Sequence, residues 1–191
     1  MSDLRTLLDD LVSRSALPAS SVSTAALTGY FPGLTISDRT RLRDVIEEVQ
    51  GLLQFDAITS GNALRFSHRG RASMLAIPEA DLMPLKPGSG DTLLLTRLAA
   101  DALPEQLDVV YADAARDYQP VTQRAQRQIT EGQKTDTVRF GGVLNASQAR
   151  RAAQILLDTA LQERTRYQFT LPAKYLALEP GDVVTLTVKN Q

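Results

Sequence analysis

Between Leu107 and Pro120 the stretch LDVVYADAARDYQP gathers three carboxylates, Asp108, Asp113 and Asp117, and two tyrosines, Tyr111 and Tyr118. The chain around it has five tyrosines, five phenylalanines and no tryptophan. Two carboxylates can serve as a glycosidase acid–base pair, and clustered ones can clamp a metal. On a strand, Asp108 and Tyr111 point to opposite faces. In a helical turn, Asp113 and Asp117 stand at i and i+4 and are neighbours. A calcium loop needs more oxygen ligands and usually a glycine at its sharp bend, and DAARD supplies neither. Aspartates also cap turns, so a strand running into a carboxylate-capped turn accounts for the same residues without chemistry.

Other chemistry-bearing groups are sparse. His68 is the sole histidine, set among Arg65, Arg69 and Arg71 with no carboxylate next to it, and it reads as an exposed loop residue. GSGD at Gly88–Asp91 has the look of a phosphate loop but lacks its lysine, preceding strand and helix start. LEPGDVV around Pro180, Gly181 and Asp182 reads as a Pro-Gly β-turn feeding a strand. Tyr167, Phe169 and Leu171 alternate along one strand face and read as core. With no cysteine there is no disulfide, thiolate ligand or thiol nucleophile. These residues yield no catalytic set, no metal set and no cofactor site.

Twenty-one Lys and Arg against 22 Asp and Glu give a net charge of -1, which removes the electrostatic reason to expect a nucleic-acid or membrane-surface partner. The positive strips HRGR (His68–Arg71) and ARR (Ala149–Arg151) are local exceptions. No apolar run approaches the roughly 20 residues that a membrane span requires. A hydrophobic fraction of 43% in 191 residues supports one generous domain or two small ones.

The elements that must position these residues follow from periodicity, and together they make an α+β chain. Residues 1–70 read as a unit of helices and a β-hairpin. Leu4, Leu7, Leu8, Leu11 and Val12 form a first helix face, with Ser2 as N-cap and Pro18 beyond its end. ASSVSTAAL suggests a short second helix, and PGLTIS a turn and short strand. Thr40 to Leu53 carries a helical stripe of Leu42, Val45, Ile46, Val49, Leu52 and Leu53. LQFDAI and ALRFS read as a hairpin about the three-residue turn Ser60-Gly61-Asn62. Residues 71–91, rich in Pro and Gly, read as a connector and place the domain boundary. Residues 92–191 are β-rich and barrel-like, with one packed helix at 146–163. That helix starts in a capping box of Asn145 and Gln148, and Ala149, Ala152, Ala153, Leu156 and Ala160 give it a narrow small-residue stripe.

The order of motifs in the second half resembles the phage tail protein family of gene transfer agents and lambdoid-like siphophages. Pro104, Tyr111, Asp113, Asp117, Tyr118 and Gln119 match the family's "lP..v.v.Y.d...dYq" strand and turn. Ala149, Ala153, Leu156 and Arg164 match its "A..iA...L....R" helix, and Leu178, Glu179, Pro180, Gly181 and Asp182 its "LePGDvv". The first half is similar to segments of gene transfer agent host-specificity proteins, very large chains with a glycoside-hydrolase-like barrel elsewhere. The repeated βα pattern of such a barrel does not occur here.

The resemblance implies a structural component of a tail-tip baseplate hub, with no enzymatic activity and no cofactor. It implies other hub subunits, in a homotrimer, and distal tail proteins as partners. It places the chain in the bacterial cytoplasm during assembly and then in the tail of a phage-like particle, whether a gene transfer agent or a prophage product. It also implies that the 191 residues are a segment of a much larger chain, leaving the final strand, Val183–Val188, as an unpaired edge. Within such a hub, the polar strand near Val121–Ile129 is the expected subunit contact, because its sequence is β-compatible with little apolar core. The alternative is a carbohydrate-binding or glycoside-cleaving module for host cell-envelope glycans, using Asp113 and Asp117 or Tyr111 and Tyr118.

Overall fold

The structure is a computed structural model, and it describes residues 2–15, 17–31, 33–36, 40–127 and 134–188. Among the described residues, three helices, α1 (Leu4–Ser13), α2 (Leu42–Leu53) and α3 (Ala146–Gln162), are distributed among thirteen strands. The strands of the first half are β1 (Ser2–Asp3), β2 (Val22–Ala26), β3 (Tyr30–Phe31), β4 (Gly33–Leu34), β5 (Phe55–Ser60) and β6 (Ala63–His68). Those of the second are β7 (Leu75–Pro78), β8 (Leu93–Arg97), β9 (Gln106–Asp113), β10 (Gln119–Gln126), β11 (Thr135–Leu144), β12 (Thr165–Phe169) and β13 (Val184–Thr187). The fold is α+β, as its periodicities lead one to expect.

The helices form where their apolar stripes say they should. In α1 the buried residues are Leu4, Leu8, Leu11 and Val12. Its N-cap is Asp3, whose carboxylate accepts from Arg5 N at 3.3 Å, one residue later than expected, because Ser2 and Asp3 pair with β3. In α2, Val45, Ile46, Val49 and Leu52 are buried, and Gln54 ends it in the left-handed region. The capping box of α3 is formed: Gln148 N donates to Asn145 Oδ1 at 2.8 Å and Asn145 N donates to Gln148 Oε1 at 3.1 Å. Its buried side chains are Ala149, Ala152, Ala153 and Leu157, so Leu157 replaces Leu156 at the centre of the expected stripe.

Three expectations are corrected by pairing. ASSVSTAAL is one 3₁₀ turn, Ala19–Ser21, followed by β2 instead of a helix, because β2 runs parallel to β6 and its β-branched and small residues suit that edge. The β5–β6 turn has two residues, Gly61-Asn62, since Ser60 pairs with Ala63. Leu75–Pro78, inside the stretch read as connector, is a strand parallel to β13, with Met74 N donating to Val183 O at 2.9 Å. The final strand therefore has a partner on one side. Pro32 and Ser37 of PGLTIS, Gln128 and Ile129 of the polar strand, and Lys189 to Gln191 lie outside the described residues.

The sheets are small and open, with no closed barrel among the described residues. The largest has the order β10-β9-β11-β4: β9 and β10 are antiparallel, β9 and β11 parallel, and β4 joins from the first half. β11 bulges between Arg139 and Val143. Gly142 is required there, because a Cβ would lie 2.3 Å from the Phe140 ring and 2.9 Å from Gly33 O. α3 lies across β9 and β10, and its small residues let it approach closely. Leu8, Val49, Phe55, Phe66, Val109, Tyr111, Ala149 and Leu157 belong to one continuous core. Phe55 and Phe66 meet there edge to face, with ring centroids 6.0 Å apart.

Candidate functional site

The three carboxylates of the opening stretch do not converge. β9 turns Leu107, Val109 and Tyr111 into the core and Asp108 to the opposite face. Asp108 and Asp113 are five strand residues apart, on the order of 16 Å along β9. Asp108 stands directly across from Arg124 of β10, which grips it in a fork: Nε to Oδ1 at 2.9 Å and the terminal nitrogen to Oδ2 at 3.0 Å. That hydrogen bonding, aided by the guanidinium charge and by Gln106, holds the buried Asp108 carboxyl below its ordinary range against the effect of burial. Arg124 is thus committed within its own chain.

Asp113 is a cap. Its Oδ1 accepts from Ala115 N at 3.0 Å, starting the 3₁₀ turn Ala114–Arg116, and its carbonyl accepts from Tyr118 N at 2.9 Å. Arg116 Nε lies 4.0 Å from Oδ2. Asp117 and Tyr118 then take consecutive left-handed conformations, φ 51° and 59°, at a cost of roughly 1 kcal/mol or more each for a non-glycine residue. Gln119 closes the turn by pairing with Asp113 as β10 begins. Asp113 is buried, whereas Asp117 and Tyr118 are exposed, and Asp117 has no side-chain partner among the described residues. Pro104 is buried just before β9, and the carbonyl of Arg164, after α3, accepts from Leu98 N at 2.8 Å.

The Glu179–Asp182 segment is a β-turn with Pro180 second and Gly181 third, closed by Asp182 N donating to Glu179 O at 3.1 Å and Glu179 N to Asp182 Oδ2 at 2.9 Å. It docks on the β5–β6 hairpin. Ser60 Oγ donates to Glu179 Oε1 at 2.7 Å, Arg65 lies 3.6 Å from Glu179 Oε2, and Arg71 donates to Gly181 O at 2.9 Å. At Gly181 (φ 84°) a Cβ would stand 2.3 Å from Ile58 Cδ1. This turn joins the end of the chain to its first third.

The remaining candidates are occupied by structure. His68 is the half-buried last residue of β6, not an exposed loop residue, and its Nε2 lies 3.0 Å from Thr28 N and 2.8 Å from Thr28 O. In GSGD, Asp91 O accepts from Leu85 N at 2.8 Å, and Asp91 N donates to Ser89 Oγ at 3.0 Å, so the loop is a self-closed turn. An open cleft of about 680 Å³ lies between α2 and the hairpin, lined by Leu42, Ile46, Leu64 and Phe66; its carboxylate Glu47 is taken by Arg43 at 2.7 Å. Among the described residues no group of three or more His, Cys, Asp or Glu could hold a metal, and no helix is long and apolar enough to cross a membrane.

What remains is surface. The two-stranded β8–β12 ribbon leaves Tyr167 55% and Leu95 53% exposed, which overturns the reading of Tyr167 as core. Periodicity did not foresee β8, and alternation cannot report whether a face is covered.

A family model described as "Putative phage tail protein" matches residues 41–191, well over half of the chain. The chain belongs to that family. No curated protein matches this phage tail protein. Among solved structures it is similar to a chain from the virion of a native gene transfer agent particle, with TM-score 0.91 at 18% identity over 99% of the present chain and 42% of the other. A tail protein from Neisseria meningitidis MC58 is similar with TM-score 0.63 at 8% identity, over 97% of the present chain and 57% of the other. At these identities what is shared is the fold, and the phage tail protein spans about two-fifths to three-fifths of the chains it matches.

Proposed function

We propose that the protein is a structural component of the tail tip of a phage-like particle, a baseplate hub subunit that joins the tail tube to host-contacting parts. The observation that carries this reading is the family match over residues 41–191, and the fold likeness to a gene transfer agent virion chain supports it. The motif residues Asp113 and Glu179 serve the fold, the first capping a turn and the second clamping a hairpin, and Asn145 with Gln148 start the helix that carries the second motif. A protein whose polar investments are spent this way acts through the surfaces it presents. Its partners are further copies of itself, three in a ring, and distal tail proteins. It accumulates in the cytoplasm during assembly and ends in the tail.

The test is to purify particles from the producing cell, identify the protein among their components, and locate it by antibody-gold labelling. Label at the tail tip is expected, with loss of mature tails on deletion of the gene. Absence from purified particles, or intact infectious tails without it, overturns the proposal. The glycan-cleaving alternative gains nothing from Asp113 and Asp117, since the first is a buried cap and the second an exposed turn residue.

A further inference from the structure

We infer that copies of the chain meet head to tail, the apolar face of the β8–β12 ribbon on one copy seating against the Asp117–Tyr118 turn of the next. This rests on the tail-ring reading above and adds to it the two surfaces that touch.

Register sorts the ribbon into unlike faces. Leu93, Leu95 and Arg97 stand opposite Phe169, Tyr167 and Thr165, so four apolar side chains form one row that ends in a guanidinium. The other face carries Leu94 and Thr96 opposite Gln168 and Arg166 and is mostly polar. A two-stranded ribbon is marginal in water unless its apolar face is covered, and here the centre of the row is half exposed.

The occupant must suit both the apolar row and the charge. Arg97 has no side-chain partner among the described residues. A two-fold contact of ribbon on ribbon would set each Arg97 against the leucine row of the other copy, leaving Glu163 and Asp101 at the ribbon's end as the carboxylates nearest to it in sequence and register. A surface offering an aromatic ring beside a free carboxylate meets both needs. The chain has one at its far end: Tyr118 is 65% exposed, and Asp117 next to it is unpaired among the described residues. The backbone is left-handed at both residues, and Tyr118 borders a shallow surface hollow with Val110, Ala112 and Pro120. The ribbon adjoins the start of β9 and the turn follows its end, about 25 Å away by strand rise, so one copy cannot bring them together. A second copy can, and such a heterologous contact closes into a ring when its rotation allows.

The absence of cysteine gives a clean test. Leu95→Cys and Tyr118→Cys variants of the 191-residue chain are purified separately, then mixed and oxidised with glutathione disulfide. The mixture is expected to give a covalent dimer on a non-reducing gel, at least about tenfold above Leu95→Cys mixed with Asp10→Cys, because a formed contact raises the effective thiol concentration. Neither variant alone should link, and the double variant should give higher multimers. Linking of Leu95→Cys to itself overturns the inference in favour of a two-fold contact. No product above the control overturns it in favour of another occupant, a different protein or a further segment of a longer chain. Either result leaves the tail assignment standing if the protein is found in particles, whereas absence from particles defeats that assignment whatever the gel shows.

Discussion

At the scale of single residues, Gly181 carries a contact between segments 123 positions apart, since its missing side chain is what lets the Glu179–Asp182 turn lie on Ile58. Two costs combine in Gly181→Ala: a left-handed φ of 84° and a Cβ 2.3 Å from Ile58 Cδ1. Thermal unfolding should show a loss of about 2 kcal/mol or more. Ile58→Val removes the clashing methyl, so the double variant should be less destabilised than the sum of the singles. Strict additivity would mean that the turn does not sit where described. Tyr111 makes the opposite case. Its hydroxyl is buried without a hydrogen-bond partner in the described structure, so Tyr111→Phe should leave stability within about 1 kcal/mol, in the stabilising direction. A larger loss would reveal a partner for the hydroxyl. These residues also divide what sequence can tell. Asp113 as a turn cap and Asn145 with Gln148 as a capping box are local and were legible. Arg124 across from Asp108, and Ile58 beneath Gly181, depend on register and docking, which no local pattern encodes.

At the scale of elements, ion pairs lock strand to strand and turn to turn, and they make acid the natural probe. Asp108 is held low by Arg124 across β9 and β10. Asp81 is held low by hydrogen bonds from Lys174 and Tyr175, which tie the 3₁₀ turns Glu79–Asp81 and Ala173–Tyr175 together. Burial works to raise Asp56, but the hydrogen bonds of Arg69 and Gln50 outweigh it and leave it lowered. In each case the folded carboxyl binds its proton less readily than the unfolded one. The stabilisation is therefore complete above the ordinary carboxylate range, near pH 4, and is lost as pH falls through the folded values. Urea midpoints should hold steady near neutrality and drop below about pH 5. Asp108→Asn should be less stable than wild type at pH 7, with the gap narrowing by pH 3; a gap that stays constant would count against the pair. The helices needed little more than their stripes to be read. ASSVSTAAL is ambiguous between helix and strand because it has both small and β-branched residues, and the edge of β6 decides for strand.

For the whole molecule, the division into residues 1–70, a connector at 71–91 and residues 92–191 is a proposal that unfolding can decide. Chain order favours it, because the Pro- and Gly-rich stretch separates two differently composed halves. Packing couples the halves at three places. Leu8, Val49 and Phe66 share a core with Val109, Ala153 and Leu157; β4 extends the β9–β11 sheet; and the Glu179–Asp182 turn grips the first hairpin. Two units with separate cores would melt apart, whereas units sharing a core unfold together. We expect one urea transition, with far-ultraviolet circular dichroism and tyrosine fluorescence superimposing. Phe66→Ala in the first half and Leu157→Ala in the second should each shift that single midpoint, by about 3–5 and 2–5 kcal/mol respectively. A biphasic curve in which Phe66→Ala moves only one phase would establish two independent units. It would also mean that residues 92–191 can be studied alone, although α3 would then expose the face it presents to α2.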